Sequence, residues 1–203
     1  MPRITKNPKE RRDEILNAAM ELFNSKGFEQ TSVSDIVKKI GVAQGTFYYY
    51  FQSKEEVINA ACERTLASRL EQVQRLVDST DLKASEKLLY LFTEALANEQ
   101  DEAVFEYVHT ESNTSLHQKW MVAEIRSLLP FVRQIVRQGV EKGEFSTQQP
   151  ELAAEFLLVG VSFWLDRGIF TWTEEEYAKK KQALADIIHR LLGGTVIAPD
   201  NVV

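Results

Sequence analysis

Residues 31–56 read TSVSDIVKKIGVAQGTFYYYFQSKEE, and this stretch decides the fold. Thr31 or Ser32 can cap a short helix whose apolar face is Val33, Ile36, Val37 and Ile40, and Gly41 stops it. Three residues later a second short helix runs from Gln44 to Phe51. Two short helices joined by a glycine-containing turn form a helix-turn-helix, whose second helix can enter a DNA major groove. At about 100° per residue, Ala43, Phe47, Tyr50 and Phe51 fall on the inner side of that helix and Gly45 and Tyr49 fall opposite. Gln44, Thr46 and Tyr48 flank the outer side. An aromatic core helix would account for Phe47 and Phe51 but not for Tyr49, which points the other way.

Working outward, residues 9–26 carry Ile15, Ala18, Ala19, Leu22 and Phe23 at helical spacing, with Gly27 as a left-handed stop. Ser53 to Glu56 is a capping box opening a long helix to Val77, and Thr173 to Glu176 is another. Further helices are expected at 84–99, 102–109, 116–142, 150–170 and 174–192, with Pro130 kinking or splitting the third of these. No alternating run bounded by hairpin turns occurs, so the expected class is all-α with about nine helices. The expected division is a DNA-binding domain over 1–52, a helical regulatory and dimerisation domain over 53–193 and a flexible tail over 194–203.

The 203 residues carry a formal net charge of −6, which for the whole chain disfavours nucleic acid. Residues 1–60, however, hold 9 basic and 8 acidic side chains, and Arg3, Lys6, Lys9, Arg11 and Arg12 cluster at the start. A basic arm on a near-neutral segment, attached to an acidic body, points to a local polyanion contact. The single cysteine, Cys62, excludes an internal disulfide and a multi-cysteine zinc site. No metal and no cofactor are expected; His109 and His117 lie eight apart, not four. The most apolar stretch, Leu152 to Leu165, is shorter than a membrane span and contains Glu155. No apolar segment follows the N-terminus, so no signal peptide is expected and the setting is cytoplasmic. Phosphate-loop, zinc-protease and nucleophile-elbow motifs are missing, so the chain is not expected to be an enzyme.

GVAQGTFYYYFQSKEEV resembles the recognition-helix region of the tetracycline-repressor (TetR) family: a Gly-Val turn, Gly-Thr and aromatics, then a Ser-Lys-Glu cap. ILNAAMELFNSKGFEQTSVSDIVKKIGV is similar to the helices before it. The resemblance implies a homodimeric transcription regulator, most often a repressor, that binds a palindromic operator in double-stranded DNA and is released by a small molecule in its C-terminal domain. It places Gln44 where a base is read, and because lysine is frequent there, glutamine shifts the expected base from guanine towards adenine. Gly45 and Thr46 would meet DNA through backbone and hydroxyl, and Tyr48 and Tyr49 would touch a thymine methyl and a phosphate. Thr31, Ser32, Tyr50 and Lys54 would hold backbone phosphate.

A dimer is expected through the last two helices, where Leu152, Phe156, Val159 and Phe163 face Ile187, Ile188 and Leu191 as an excess of apolar surface. Candidate effector-lining residues are Phe92, Leu96, Phe105, Trp120, Ile125, Leu129, Phe163 and Trp164, for an apolar or amphipathic organic ligand. The alternative is a constitutive or accessory DNA-binding regulator of the same fold with a filled, ligand-free body.

Overall fold

The computed structural model describes residues 7–95 and 102–193. In chain order they form α1 (Pro8–Lys26), α2 (Val33–Ile40), α3 (Gln44–Tyr50), α4 (Lys54–Asp78), α5 (Ala84–Tyr90), α6 (Glu102–Val108), α7 (Thr114–Glu141), α8 (Pro150–Trp164) and α9 (Glu174–Leu192). A π-helical stretch, Leu91–Ala95, continues α5, and a 3₁₀ turn, Glu111–Asn113, precedes α7. No strand occurs among the described residues. The basic residues Arg3 and Lys6 and the tail 194–203 lie outside them, as does Leu96.

The helix ends follow local chemistry. Asn7 caps α1 by accepting from Lys9 N at 3.0 Å, and Thr173 and Glu176 form the expected reciprocal box at the start of α9. At α4 the box is shifted: Ser53 Oγ accepts from Glu56 N at 3.3 Å, but the Glu56 carboxylate reaches back to Gln52 N, at 2.6 Å. Helix α8 stops at Trp164 rather than 170, because the Asp166 carboxylate accepts from Gly168 N (2.8 Å) and Ile169 N (2.9 Å) and turns the chain. Pro130 neither splits nor interrupts α7, which runs unbroken from Thr114 to Glu141. Its missing N–H costs one bond to Arg126, and both residues sit on the exposed side, where water can satisfy that carbonyl.

The described residues divide into two compact units, 7–66 with 102–113 and 67–95 with 114–193. In the first, α1 buries Ile15, Leu16, Ala19 and Phe23, α2 buries Ile36 and Val37, and α3 buries Phe47. This unit extends past residue 52: Val57, Ile58 and Ala61 of α4 are buried, and Ala103 and Val108 of α6 join them. Helix α6 is tied to α1 where Ala103 N donates to Asn24 Oδ1 at 3.0 Å, and its Tyr107 ring meets Phe28, just after α1, tilted at 4.1 Å between ring centroids.

The second unit holds a continuous core that includes Val73, Leu88, Leu91, Phe92, Leu128, Ile135, Leu158 and Leu184. One charge is buried beside it. The Lys87 ammonium donates to Val77 O at 2.7 Å and to Gln138 Oε1 at 2.9 Å, satisfying a last-turn carbonyl of α4. Burial pushes its pKa below the ordinary lysine value.

Gly139, inside α7, marks where the core is tightest: a Cβ there would fall against the Phe145 ring and within 2.9 Å of Ala84 Cβ. Gly139→Ala should therefore destabilise by about 1–3 kcal/mol despite alanine's better helix propensity. Denaturant unfolding monitored by circular dichroism checks this, and a stabilised variant would contradict it.

Candidate nucleic-acid interface

The site is built on α2, the turn after it and α3. Ser32 is the N-cap of α2: its Oγ accepts from Asp35 N at 3.1 Å and donates to Asp35 Oδ2 at 2.6 Å. The same carboxylate accepts from Ser32 N at 2.9 Å and pairs with Lys26 Nζ at 2.9 Å. The hydrogen bonds from Ser32 and Lys26 hold the Asp35 carboxyl far below the usual carboxylate range. Gly41 ends α2 with φ +68°, the left-handed conformation that only glycine adopts without strain, and Val42 N donates back to Val37 O at 3.0 Å.

The turn leads directly into α3, where Thr46 N donates to Ala43 O at 2.8 Å. Phe47 and Phe51 point inward and are fully buried, while Tyr48 is 52% and Tyr49 77% exposed. Tyr50 is half-buried and meets Tyr49 edge-on at 4.8 Å between ring centroids. Gln44 is exposed and Thr46 half-buried. Gly45 is exposed too, and a Cβ built on it meets nothing within 4 Å. Ala43 departs from the wheel reading: it is exposed, because as N-cap it precedes the helix. The outward side of this seven-residue helix presents backbone, amide and phenol groups, polar enough for base edges and phosphates.

Of the residues expected at phosphate, Thr31 is buried, and Lys54 is half-buried with an internal partner. Thr31 is 1% exposed, and its hydroxyl donates to Gly27 O at 2.8 Å, so it secures the α1–α2 turn and leaves the cap to Ser32. The Lys54 ammonium donates to Phe28 O at 2.8 Å and stands 4.3 Å from the centre of the Phe28 ring. Arg12 likewise lies over the Phe51 ring, at 4.7 Å. The groove of α1 and α2 is lined by Glu10, Asp13, Glu14 and Glu21 together with Lys39, which pairs with Glu21 at 2.8 Å.

The described effector candidates are divided between the two units. Phe105 lies in the first unit, its ring tilted against His109 at 3.9 Å between centroids, whereas the other described candidates belong to the second. Phe92 is closed into the core, with Ile125, Leu129 and Trp164 packed against it, and Trp120 is half-buried. Phe163, expected both to line a pocket and to face a partner, lies on the open side of α8 and meets Phe170 edge-on at 5.6 Å. Trp164 and Trp172 hold the Lys180 ammonium between them, 4.6 and 3.7 Å from their ring centres. That arrangement carries no sequence signal, since it needs residues 8 and 16 apart to meet across a loop. Of the interface candidates, Leu152, Phe156, Val159, Phe163 and Ile187 are exposed and Leu191 is partly so. Ile188 is not: at 2% exposure it belongs to the core, because α9 turns its 184–188–192 stripe inward.

Residues 15–61 match the family described as bacterial regulatory proteins, tetR family, and residues 96–187 match a tetracyclin repressor-like C-terminal domain. An uncharacterized HTH-type transcriptional regulator of Bacillus subtilis, YfiR, is 30% identical over 154 residues, spanning 73% of this chain and 75% of its own. The chain belongs to the TetR family. Among solved structures, a transcriptional regulator from Cytophaga hutchinsonii superposes with a TM-score of 0.70 at 19% identity, covering 92% of this chain and 98% of its own. SmeT in complex with triclosan gives 0.64 at 20% identity, covering 96% and 97%. This TetR-family chain is therefore a DNA-binding transcriptional regulator, not an enzyme. No described helix is long and apolar enough to cross a membrane.

The lowered Asp35 pKa fixes the sign of an acid effect. The unfolded chain takes up this proton first, so the carboxylate's stabilisation is present above about pH 4 and is lost as pH falls through the lower folded value. In Asp35→Asn the melting temperature should lie below wild type by a constant margin above about pH 5, and that margin should shrink below about pH 4. Thermal melts across pH 2–7 read this directly; a margin independent of pH would contradict it.

Proposed function

We propose that this regulator acts in the cytoplasm as a homodimer that represses transcription from a palindromic operator and is released by a small apolar or amphipathic effector. The observation that carries the DNA half is the outward face of α3, where Tyr48 and Tyr49 stand exposed beside an unobstructed Gly45 while Phe47 anchors the helix from behind. On this reading Ser32, Gln44, Gly45, Thr46, Tyr48 and Tyr49 meet the operator, and the half-buried Tyr50 steadies Tyr49.

Support for the dimer comes from α8 and α9. Leu152, Phe156, Val159 and Phe163 recur at helical spacing on the open side of α8, and Ile187 of α9 is exposed as well. Exposed apolar surface of this extent marks an association site. A two-fold pair of recognition helices reads two half-sites, which one helix cannot do. For the effector, the support is the matched C-terminal domain and a fold shared with SmeT, which was solved with triclosan. An effector acts here only through its differential affinity for two conformers, typically about 1–3 kcal/mol.

The test is selection of random duplex DNA by the purified protein at about 0.15 M salt, where non-specific phosphate binding is weakened. The expected product is a palindrome whose half-sites lie about 34 Å apart or a multiple of that. No enrichment, with or without added cell extract, would overturn the operator reading.

Variants separate the parts. Gly45→Ala should raise the melting temperature by about 2–4 °C, through helix propensity, and still lose operator affinity. Tyr49→Phe should weaken operator binding with an unchanged melting temperature. Phe156→Asp should sediment as a folded monomer; a dimer that survives it would refute the α8–α9 interface.

A further inference from the structure

We infer that Trp164 and Trp172 form a binding site for a small quaternary ammonium group, and that the Lys180 ammonium held between them is its displaceable stand-in. The site lies wholly within the second unit, on α8, α9 and the loop joining them. It rests on none of the operator, dimer or effector readings.

The rings are set by the local chain. Helix α8 ends at Trp164, and the Asp166 carboxylate turns the chain by accepting from Gly168 N and Ile169 N at 2.8 and 2.9 Å. The turn brings Trp172 back to the end of α8, where its Nε1 donates to Trp164 O at 3.3 Å. Phe170 stacks on the Trp172 ring at 4.9 Å between centroids, with 24° between the planes. One residue later Thr173 caps α9. With its side-chain N–H engaged and a second ring against it, the Trp172 indole is in place before any ligand arrives. Both tryptophans are half-buried, which leaves part of each ring open to a small solute.

The two rings share one cation. Lys180 Nζ is 3.7 Å from the Trp172 centre and 4.6 Å from the Trp164 centre, within cation–π range of the ring type that attracts cations best. Among the described residues no carboxylate pairs with this ammonium and no acceptor receives its N–H groups. Such a site suits a primary ammonium poorly, because its three donors need acceptors and it is strongly hydrated. A quaternary ammonium has no N–H to satisfy and takes all it needs from the π faces. The Glu176 carboxylate, one turn before Lys180 on α9, adds negative charge nearby, and hydrogen bonds from Thr173 keep its pKa below the ordinary glutamate value. Lys180 is then a tethered competitor: its four-carbon stem is flexible, and its head can return to water.

Tetramethylammonium chloride is the probe, titrated into the full-length protein at constant ionic strength, with potassium and methylammonium chlorides as controls. The indole N–H signals of Trp164 and Trp172, assigned from Trp164→Phe and Trp172→Phe, report binding by NMR. Tetramethylammonium should shift both signals saturably and potassium neither. Methylammonium should bind about fivefold more weakly or worse. Lys180→Gln removes the tethered cation and should bind tetramethylammonium about tenfold more tightly than wild type. A shift that saturates only in Lys180→Gln is the same result at the limit of detection.

Trp172→Leu should abolish the shift of the Trp164 signal, with melting temperature and helix content followed alongside. If that variant does not fold, Trp172→Phe decides, since its weaker π face should lower affinity several-fold. No saturable shift in either wild type or Lys180→Gln would reduce the arrangement to a staple between α9 and the loop and overturn the site. Equal affinity in those two proteins would show that Lys180 is not the group displaced. Undiminished binding in Trp172→Phe would place the ammonium elsewhere, and methylammonium binding as tightly as tetramethylammonium would remove the quaternary class. Each of these three results also overturns the proposal.

Discussion

A seven-residue helix cannot stand in water on its own hydrogen bonds, and the helix-turn-helix of this regulator depends on how α3 is held. Phe47 and Phe51, both fully buried, are the anchors. Because they lie four apart, they fix one face of the helix against α1 and α2 and leave no freedom of rotation. Tyr49, two residues from each, is forced outward for the same geometric reason. The exposed tyrosines are thus a consequence of the buried phenylalanines, and the groups on the outward face are set by packing on the far side of the same turn.

Electrostatics in this unit is local. The chain carries −6 overall, and two cations near the helix-turn-helix are already paired: Lys26 with Asp35 at 2.9 Å and Lys39 with Glu21 at 2.8 Å. Pairs this exposed contribute little to stability, but they remove charge from the inventory open to phosphate. The outward face of α3 itself carries hydroxyl, amide and backbone groups and no cation.

The second unit solves a different problem. Its core is closed, and it contains one buried ammonium whose cost is offset by two acceptors, the Val77 carbonyl and Gln138 Oε1. Gln138 Nε2 also reaches that carbonyl, at 3.3 Å, so the last turn of α4 is secured by side chains from α5 and α7. Helix α8 divides its apolar residues between two opposite faces. Ala154, Leu157, Leu158 and Val161 face the core, and Leu152, Phe156, Val159 and Phe163 face away from it. A helix apolar on both faces needs partners on both.

Much of this was legible in the sequence because it is written in residues that act within a few positions of themselves. Glycines ended α1 and α2, Ser32 and Thr173 capped α2 and α9, and a spacing of two set Tyr49 opposite Phe47. The TetR resemblance rested on those same short-range features. What the tertiary structure alone decided concerns residues whose partners are distant along the chain. Thr31 and Ser32 look alike as caps, but only the fold shows that the Thr31 hydroxyl is taken by Gly27 O. Lys54 looks like a surface cation until Phe28 is brought to it from 26 residues away. Ile187 and Ile188 are neighbours of identical chemistry, and a rotation of about 100° sends one to solvent and the other into the core. Helix α6 joins the DNA-binding unit through Asn24 and Phe28, contacts spanning 79 residues, over which no local periodicity carries information.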